Sequence, residues 1–600
     1  MADYRPPLRD ISFVLDHLVD VDRLCRLTPF AHIDADSVSG VIEEYGRFVS
    51  EVVAPLNRVG DLQGSRHQAD HTVVTPDGFR EAYAAYVEAG WGSVPFDPAF
   101  GGGGFPWLVG MVLQELISSA NMAFSMCPLL TQGAIDLLSH YGDEIQRQTY
   151  LPRMVSGAWT GTMNLTEPDA GSDVGALRTR AVPAEDGTWR ITGTKIFISF
   201  GEHDMADNII HLVLARTPDA PAGTRGISCF IVPKFLVEAD GSLGERNDVT
   251  CVSIEHKMGI KASPTCVMSF GEGGGAVGYL VGEQNQGMRY MFTMMNNARL
   301  SVGLEGLSVS ERAYQDAVAY ARERRQGRAP GAPTGESSFI VEHPDVRRML
   351  LTMKASIDVM RALIYVTAEQ MDLAVGHSDA DARQAAAERV DLLIPLCKAW
   401  STDLAVEVTS SAIQVYGGMG YVEDSGVAQH FRDARITPIY EGTNGIQAID
   451  LVGRKLPMRS GGVMADLLDD IRALDGPLAA ASDDLALMRS NLADAVATLA
   501  ETTDWMSKHG SEDPRHALAG ASPYLRMCAL VTGGWLMARQ ALAARAALVA
   551  GGGDEDLLEA KVATATFFAE QLLPLAGGLA GAATAGYESL YAIDPSQLAG

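Results

Sequence analysis

Three separated segments hold residues whose types and spacing can do chemistry. In the last of them, Ile436-Thr437-Pro438-Ile439-Tyr440-Glu441-Gly442-Thr443-Asn444-Gly445-Ile446-Gln447, one carboxylate stands between apolar or aromatic neighbours and a glycine. Partial desolvation raises a carboxyl group toward useful basicity, so Glu441 has the surroundings of a general base. Taken by itself, the segment also reads as an exposed loop with a solvated carboxylate. The first segment, Met163-Asn164-Leu165-Thr166-Glu167-Pro168-Asp169-Ala170-Gly171-Ser172-Asp173, is forced into a tight loop by Pro, Gly and Asp. Thr166 and Ser172 offer hydroxyls there, and Gly171 permits close backbone approach to a ligand, although a plain surface turn has the same composition. In the second, Gly193-Thr194-Lys195-Ile196-Phe197-Ile198-Ser199, strand alternation puts Phe197 and Ser199 on one face. Such a pair suits the face and edge of a flat heteroaromatic ring, or is simply an exposed strand pair.

These segments need a frame. From about residue 36 to about 160 the pattern is helical, for instance over 41–53 and 78–90. Gly101 to Gly104 suggest a phosphate cradle but lack the strand, helix start and lysine of one, and read as a turn. Between about 161 and 285, short β-branched runs at 189–192, 209–214, 227–232 and 266–270 are punctuated by Gly, Pro and Asp, which predicts a small β-domain inserted between helical regions. Helical spacing then returns. Met349, Met353, Ile357, Met360 and Ile364 recur every three or four residues, as do Leu393, Cys397, Trp400, Leu404 and Val408, marking long amphipathic helices around a shared core. A helical bundle follows, with the methionines as core filling. Residues 457–462 read as a linker, and Ala- and Leu-rich helices over about 463–508, 520–550 and 555–585 read as a structural or oligomer-contacting domain. The fold class is mostly α with an inserted β-domain, divided into 1–35, 36–160, 161–285, 286–456 and 463–600.

Composition limits the partners. A net charge of -28 disfavours nucleic acid or an anionic membrane as the main partner, through long-range repulsion. The 7 cysteines are scattered without metal-like pairing, so they read as reduced thiols, and no metal site is expected. No leader, spanning run or peroxisomal tail is visible, which leads to the expectation of a cytoplasmic protein without a membrane span.

In this order and at these separations, the three segments resemble the acyl-CoA dehydrogenase family over about residues 36 to 455. Thr166 to Asp173 match the pattern T-E-P-x-A-G-S-D at every fixed position, and Tyr440-Glu441-Gly442-Thr443 matches Y-E-G-T. Phe197-Ile198-Ser199 stands where W-I-T is usual, keeping an aromatic wall and a hydroxyl. Arg299 sits at the family's substrate-side arginine, and Arg324 at an arginine that meets the flavin diphosphate of a neighbouring subunit, where a planar guanidinium suits phosphate. Gln414-Val415-Tyr416-Gly417-Gly418 resembles a loop near the flavin adenylate. Ala298 stands where other branches carry their base, which leaves Glu441 without a rival there. Gln326-Gly327-Arg328 and Asn444-Gly445 depart from the usual pattern.

The resemblance implies the family's fold: an N-terminal helical domain, a β-barrel-like middle domain and a C-terminal four-helix bundle, here with an extra helical domain. It implies FAD, contacted by Met163, Leu165, Thr166, Phe197, Ser199, Arg324, Gln414, Gly418 and Thr443. It implies an acyl-CoA substrate touched by Ser172, Asn296, Arg299 and Tyr440, with Glu441 taking the α-proton while a hydride passes to the flavin. Electron-transferring flavoprotein as acceptor and at least a homodimer are further implications. The length is similar to that of a long bacterial branch that includes 3-methylmercaptopropionyl-CoA and fatty acyl-CoA dehydrogenases. An acyl-CoA oxidase, or a non-catalytic CoA-binding or assembly subunit, remains an alternative.

Overall fold

The computed structural model describes residues 3–333, 335–481 and 483–598. It divides into two compact units, Glu44–Ser301 and the combination of Met1–Glu43 with Val302–Gly600.

In the unit Glu44–Ser301, the helices Trp107–Ala120 and Met122–Tyr141 are apolar almost all round and almost wholly buried, as such a composition requires. Asn121 separates them and caps the second, accepting from the Phe124 N–H at 3.1 Å. The helix Glu144–Val155 opens with a capping box between Asp143 and Gln146.

The β-region forms one eight-stranded sheet. Its strands are β1 (Trp159–Asn164), β2 (Arg180–Pro183), β3 (Trp189–Ser199), β4 (Asn208–Ala215), β5 (Ser228–Pro233), β6 (Val249–Ile254), β7 (Thr265–Phe270) and β8 (Ala276–Leu280). Their order is β6-β7-β3-β8-β5-β4-β1, with β2 paired to β3. A parallel bridge between Arg180 and Arg216, with Ala181 N–H donating to Arg216 O at 2.8 Å, joins β2 to the end of β4. That bridge closes β3, β8, β5, β4 and β2 into a ring, so the barrel-like expectation has a concrete basis. Ile191, Ile198, Val213, Phe230, Val232, Met268 and Phe270 pack as one cluster, while Leu212, Leu214, Cys229 and Ile231, alternating with them along β4 and β5, pack with the helices.

Long helices organise the other unit, among them Ala486–Glu512 and five others. The five are α1 (Gly287–Glu323), whose residues from Val302 on belong here, α2 (Pro344–Gly376), α3 (Ala380–Tyr416), α5 (Pro514–Ala550) and α6 (Glu555–Gln571), with the short α4 (Asn444–Asp450) between α3 and α5. Met353 and Met360 are completely buried, as core filling demands. Where α3 meets α5, a Cβ on Gly533 would lie 2.7 Å from the Trp400 ring, so the approach is close enough to need glycine. Residues 457–462, read as a linker, hold a short turn, Met458–Gly461, in which Arg459 and Ser460 have φ 46° and 56°, and it leads directly into the helix Gly462–Arg472.

A buried charge cluster joins the chain's two ends within this unit. Lys561 of α6 lies 2.6 Å from Asp10, in the helix Leu8–His17, and 3.1 Å from Asp358 of α2. Lys354 stands 3.5 Å from Asp10, and Arg361 pairs with Glu311 at 2.8 Å. All seven cysteines are free and buried.

Candidate active site

The candidate residues fall into two groups, one in each unit. In Glu44–Ser301 the loop after β1 is fixed by a buried ion pair. Glu167 accepts from Lys195 Nζ at 2.8 Å, from the Thr179 hydroxyl at 2.6 Å and from the Arg178 N–H at 2.6 Å. Burial opposes the Glu167 charge, but Lys195 and these hydrogen bonds outweigh it and hold the carboxyl below its usual range. Burial lowers Lys195 to about 8 against the pull of Glu167. The same Lys195 Nζ donates to Leu165 O at 2.9 Å, and the Ile196 N–H donates to Thr166 O at 2.9 Å. The loop and β3 are thereby locked together, leaving Leu165 and Thr166 partly open and Ser172 exposed.

Strand alternation fails where it matters. The β3–β7 register shifts between Cys266 and Met268, a bulge that leaves Phe197 with φ 59°. Phe197 is consequently 58 % exposed between the buried Lys195 and Ile198, and presents a bare aromatic face. A non-glycine residue in the left-handed region is strained, and such strain persists where the surrounding structure imposes it, often at ligand sites. Ser199 is half-buried beyond it. Met163 is buried and lines a small cavity with Trp107, Leu130, Asn297, Ala298 and Ser301, which brings it next to the part of α1 that carries half-buried Asn296 and buried Arg299.

In the second unit Tyr440, Glu441 and Thr443 form one corner. Glu441 has φ 54° and Gly442 has φ 82°, two consecutive left-handed residues, the first without glycine's freedom. The corner is held from behind. Thr443 caps α4 by accepting from the Ile446 N–H, and Gln447 Nε2 donates to Glu441 O at 3.3 Å. Asn444 Nδ2 donates to Asp403 Oδ1 at 2.7 Å, while its Oδ1 accepts from the fully buried Lys398 Nζ at 2.9 Å. Glu441 itself is half-buried. The Tyr440 hydroxyl donates to Glu305 Oε2, from a helix position only 1 % exposed. Gln414, Gly418 and Arg324 of the same unit are exposed, at the end of α3 and just beyond α1.

Glu305, Lys398 and the bracing role of Asn444 were not singled out from the sequence. A signal was present: Glu305 is the one charge in Val302-Gly303-Leu304-Glu305-Gly306-Leu307, and Lys398 interrupts an equally apolar run. Among the described residues no group of acidic, His or Cys side chains is placed to hold a metal ion, and no helix is long and apolar enough to cross a membrane.

Comparison with known proteins places these two groups in context. Residues 41–158, 162–272 and 285–456 match, in turn, the acyl-CoA dehydrogenase N-terminal, middle and C-terminal domains. A 3-methylmercaptopropionyl-CoA dehydrogenase of Ruegeria pomeroyi is 46% identical over 570 residues, covering 95% of this chain and 96% of its own. The chain belongs to the acyl-CoA dehydrogenase family. Within that family, the broad-specificity linear acyl-CoA dehydrogenase of Mycobacterium tuberculosis is 37% identical over 594 residues, covering 96% of both chains. Residues 465–594 match an acetyl-CoA dehydrogenase C-terminal-like domain, so the extra helices have family precedent. The fold is shared with a Bacillus anthracis acyl-CoA dehydrogenase solved with FAD, at a TM-score of 0.72 and 20% identity, over 98% of this chain and 93% of that one.

Proposed function

We propose that this acyl-CoA dehydrogenase binds FAD and introduces an α,β double bond into an acyl-CoA thioester, with Glu441 as the base. The observation that carries the reading is the backbone of the Glu441-Gly442 corner: a carboxylate residue is kept in a strained left-handed conformation by Thr443, Asn444 and Gln447. Pinning a carboxylate this firmly at half-burial serves a base that must meet a C–H bond in one orientation.

The chain's side chains and backbone fit a flavin. Phe197 offers a flat apolar face on a rigid bulge, Thr166 and Ser199 offer hydroxyls and Leu165 its backbone N–H, and the exposed Arg324 guanidinium suits a diphosphate. FAD, when bound, supplies the acceptor for the hydride that leaves the β-carbon. Glu441 takes the α-proton, and its backbone N–H supports the thioester oxygen as negative charge develops there. Arg299, Asn296, Ser172 and Tyr440 orient the thioester. Arg324 serves the flavin of a second subunit, which makes the working form at least a dimer, and electron-transferring flavoprotein is the acceptor.

The test is anaerobic bleaching of the flavin absorbance by a panel of acyl-CoAs, with 3-methylmercaptopropionyl-CoA and linear chains of graded length. Bleaching by at least one member is expected; none in a flavin-replete protein overturns the substrate class. Hydrogen peroxide at each turnover in air would instead identify an oxidase. A companion titration of apoprotein with FAD checks the stacking surface. Phe197→Ala is expected to bind FAD about three- to tenfold more weakly, the worth of one aromatic contact, and unchanged binding would remove Phe197 from the site.

A further inference from the structure

Behind the proposed base lies a second carboxyl group. Glu305 of α1 is 1 % exposed, and its Oε2 accepts from the hydroxyl of Tyr440, the residue next to Glu441. The charged and titratable groups around it are few: Tyr440 and Glu441 on the corner and Lys398 on α3, with Asp433 beyond Tyr440. Lys398 donates to Asn444 at 2.9 Å and acts on Glu305 through its charge, which favours the ionised carboxylate. Burial raises the Glu305 carboxyl to about 8, and the Glu441 charge adds to that, against the Tyr440 hydrogen bond and Lys398. Two neighbouring carboxyl groups in a poorly solvated place do not both ionise readily, and the more buried one keeps the proton.

We propose that Glu305 is a positioning residue for the base, a neutral carboxyl group that anchors Tyr440 and holds the proton of the Glu305–Glu441 pair, leaving Glu441 as the ionised member. This rests on the reading of Glu441 as base. Oε2 accepts from Tyr440, so the proton sits on Oε1. While it is there, Tyr440 has its acceptor and Glu441 has no second negative charge behind it. When it leaves at high pH, the added charge repels that on Glu441, raises the proton affinity of the base and strengthens it.

The experiment is anaerobic stopped-flow bleaching of the flavin-loaded full-length protein by its best acyl-CoA, from about pH 6 to about pH 10, in wild type, Glu305→Gln, Glu305→Leu and Glu441→Gln. Wild type is expected to show an upward step in the limiting rate near pH 8, of about threefold for a base strengthened by about one pKa unit. Glu305→Gln, which keeps an acceptor for Tyr440 but cannot ionise, is expected to hold the neutral-pH rate within about twofold and to lose the step. Glu305→Leu, which removes the acceptor, is expected to be at least about tenfold slower at neutral pH, so that glutamine rescues what leucine loses. A step that survives in Glu305→Gln, or equal rates for the glutamine and leucine proteins, overturns the proposal. A second readout does not depend on turnover or on the leucine protein folding. The infrared difference between wild type and Glu305→Gln at neutral pH should contain the C=O stretch of a neutral carboxylic acid, lost at high pH, and its absence also overturns the proposal. Glu441→Gln separates the two ideas: if it stays fast the base is elsewhere, whereas if it is dead while the Glu305 proteins match wild type at every pH, only the role of Glu305 fails.

Discussion

Replacing Glu441 by glutamine is expected to slow acyl-CoA bleaching of the bound flavin by on the order of 10²–10⁴-fold, the usual worth of a positioned general base. Glutamine keeps the length, the planar end and the strained backbone of the native residue, so the corner braced by Thr443, Asn444 and Gln447 should survive. What disappears is an oxygen able to take up a proton. Flavin content and thermal midpoint should stay near those of wild type, which separates lost chemistry from lost structure. Glu441→Asp retains the carboxylate but withdraws it by one methylene and should fall between the two, because proton abstraction depends steeply on approach. Rapid-mixing absorbance of the three flavin-loaded proteins decides the matter. A Glu441→Gln protein retaining more than about a tenth of the wild-type rate removes Glu441 from the mechanism.

The largest effect on stability is expected from Lys561→Met. Methionine matches the apolar stem of lysine, yet the substitution leaves Asp10 and Asp358 facing each other with one cation fewer. Losing one partner of a buried charge cluster costs about 3–5 kcal/mol, because the remaining charges are desolvated without compensation. The unit built from Met1–Glu43 and Val302–Gly600 should unfold at lower denaturant concentration, and a shift below about 1 kcal/mol would show the cluster to be screened by water. Acid probes the same cluster. Burial opposes the Asp10 charge, but Lys561, Lys354 and Arg361 hold its carboxyl far below the ordinary 3.8. A depressed carboxyl contributes stability that is present above its unfolded value and is lost as pH falls toward the folded one. The difference between wild type and Lys561→Met is therefore expected to be widest near neutrality and to shrink below about pH 4.

Much of this was legible in the sequence because it depends on local chemistry. Met353 and Met360 recur at helical spacing and are core, and the β-branched runs between about 161 and 285 became strands since short, turn-bounded apolar segments have few other options. The corner at Glu441 was legible as a motif but not as a geometry, for no propensity rule places a glutamate in the left-handed region. Phe197 shows the limit more sharply. Alternation assumes a regular strand, whereas the bulge opposite Val267 is set by the pairing of β3 with β7, a partner about 70 residues away in sequence. Glu305 was hidden for a related reason: its neighbour Tyr440 is remote in the chain, so only the fold reveals that an isolated charge in an apolar helix has a partner. The cluster at Lys561 was likewise invisible, since Asp10 and Lys561 sit near opposite ends of the sequence.

The distance along the chain between Asp10 and Lys561 sets an order of events during synthesis. Asp10 emerges from the ribosome about 550 residues before Lys561, which at about 5–20 residues per second is on the order of half a minute to two minutes. During that interval Glu44–Ser301, continuous in sequence, has every residue it needs to fold, whereas the N-terminal helix can meet Lys354 but not yet complete its charge cluster. A chain that stops short of Lys561 therefore leaves Asp10 with Lys354 alone and Asp358 without its partner from the later helix.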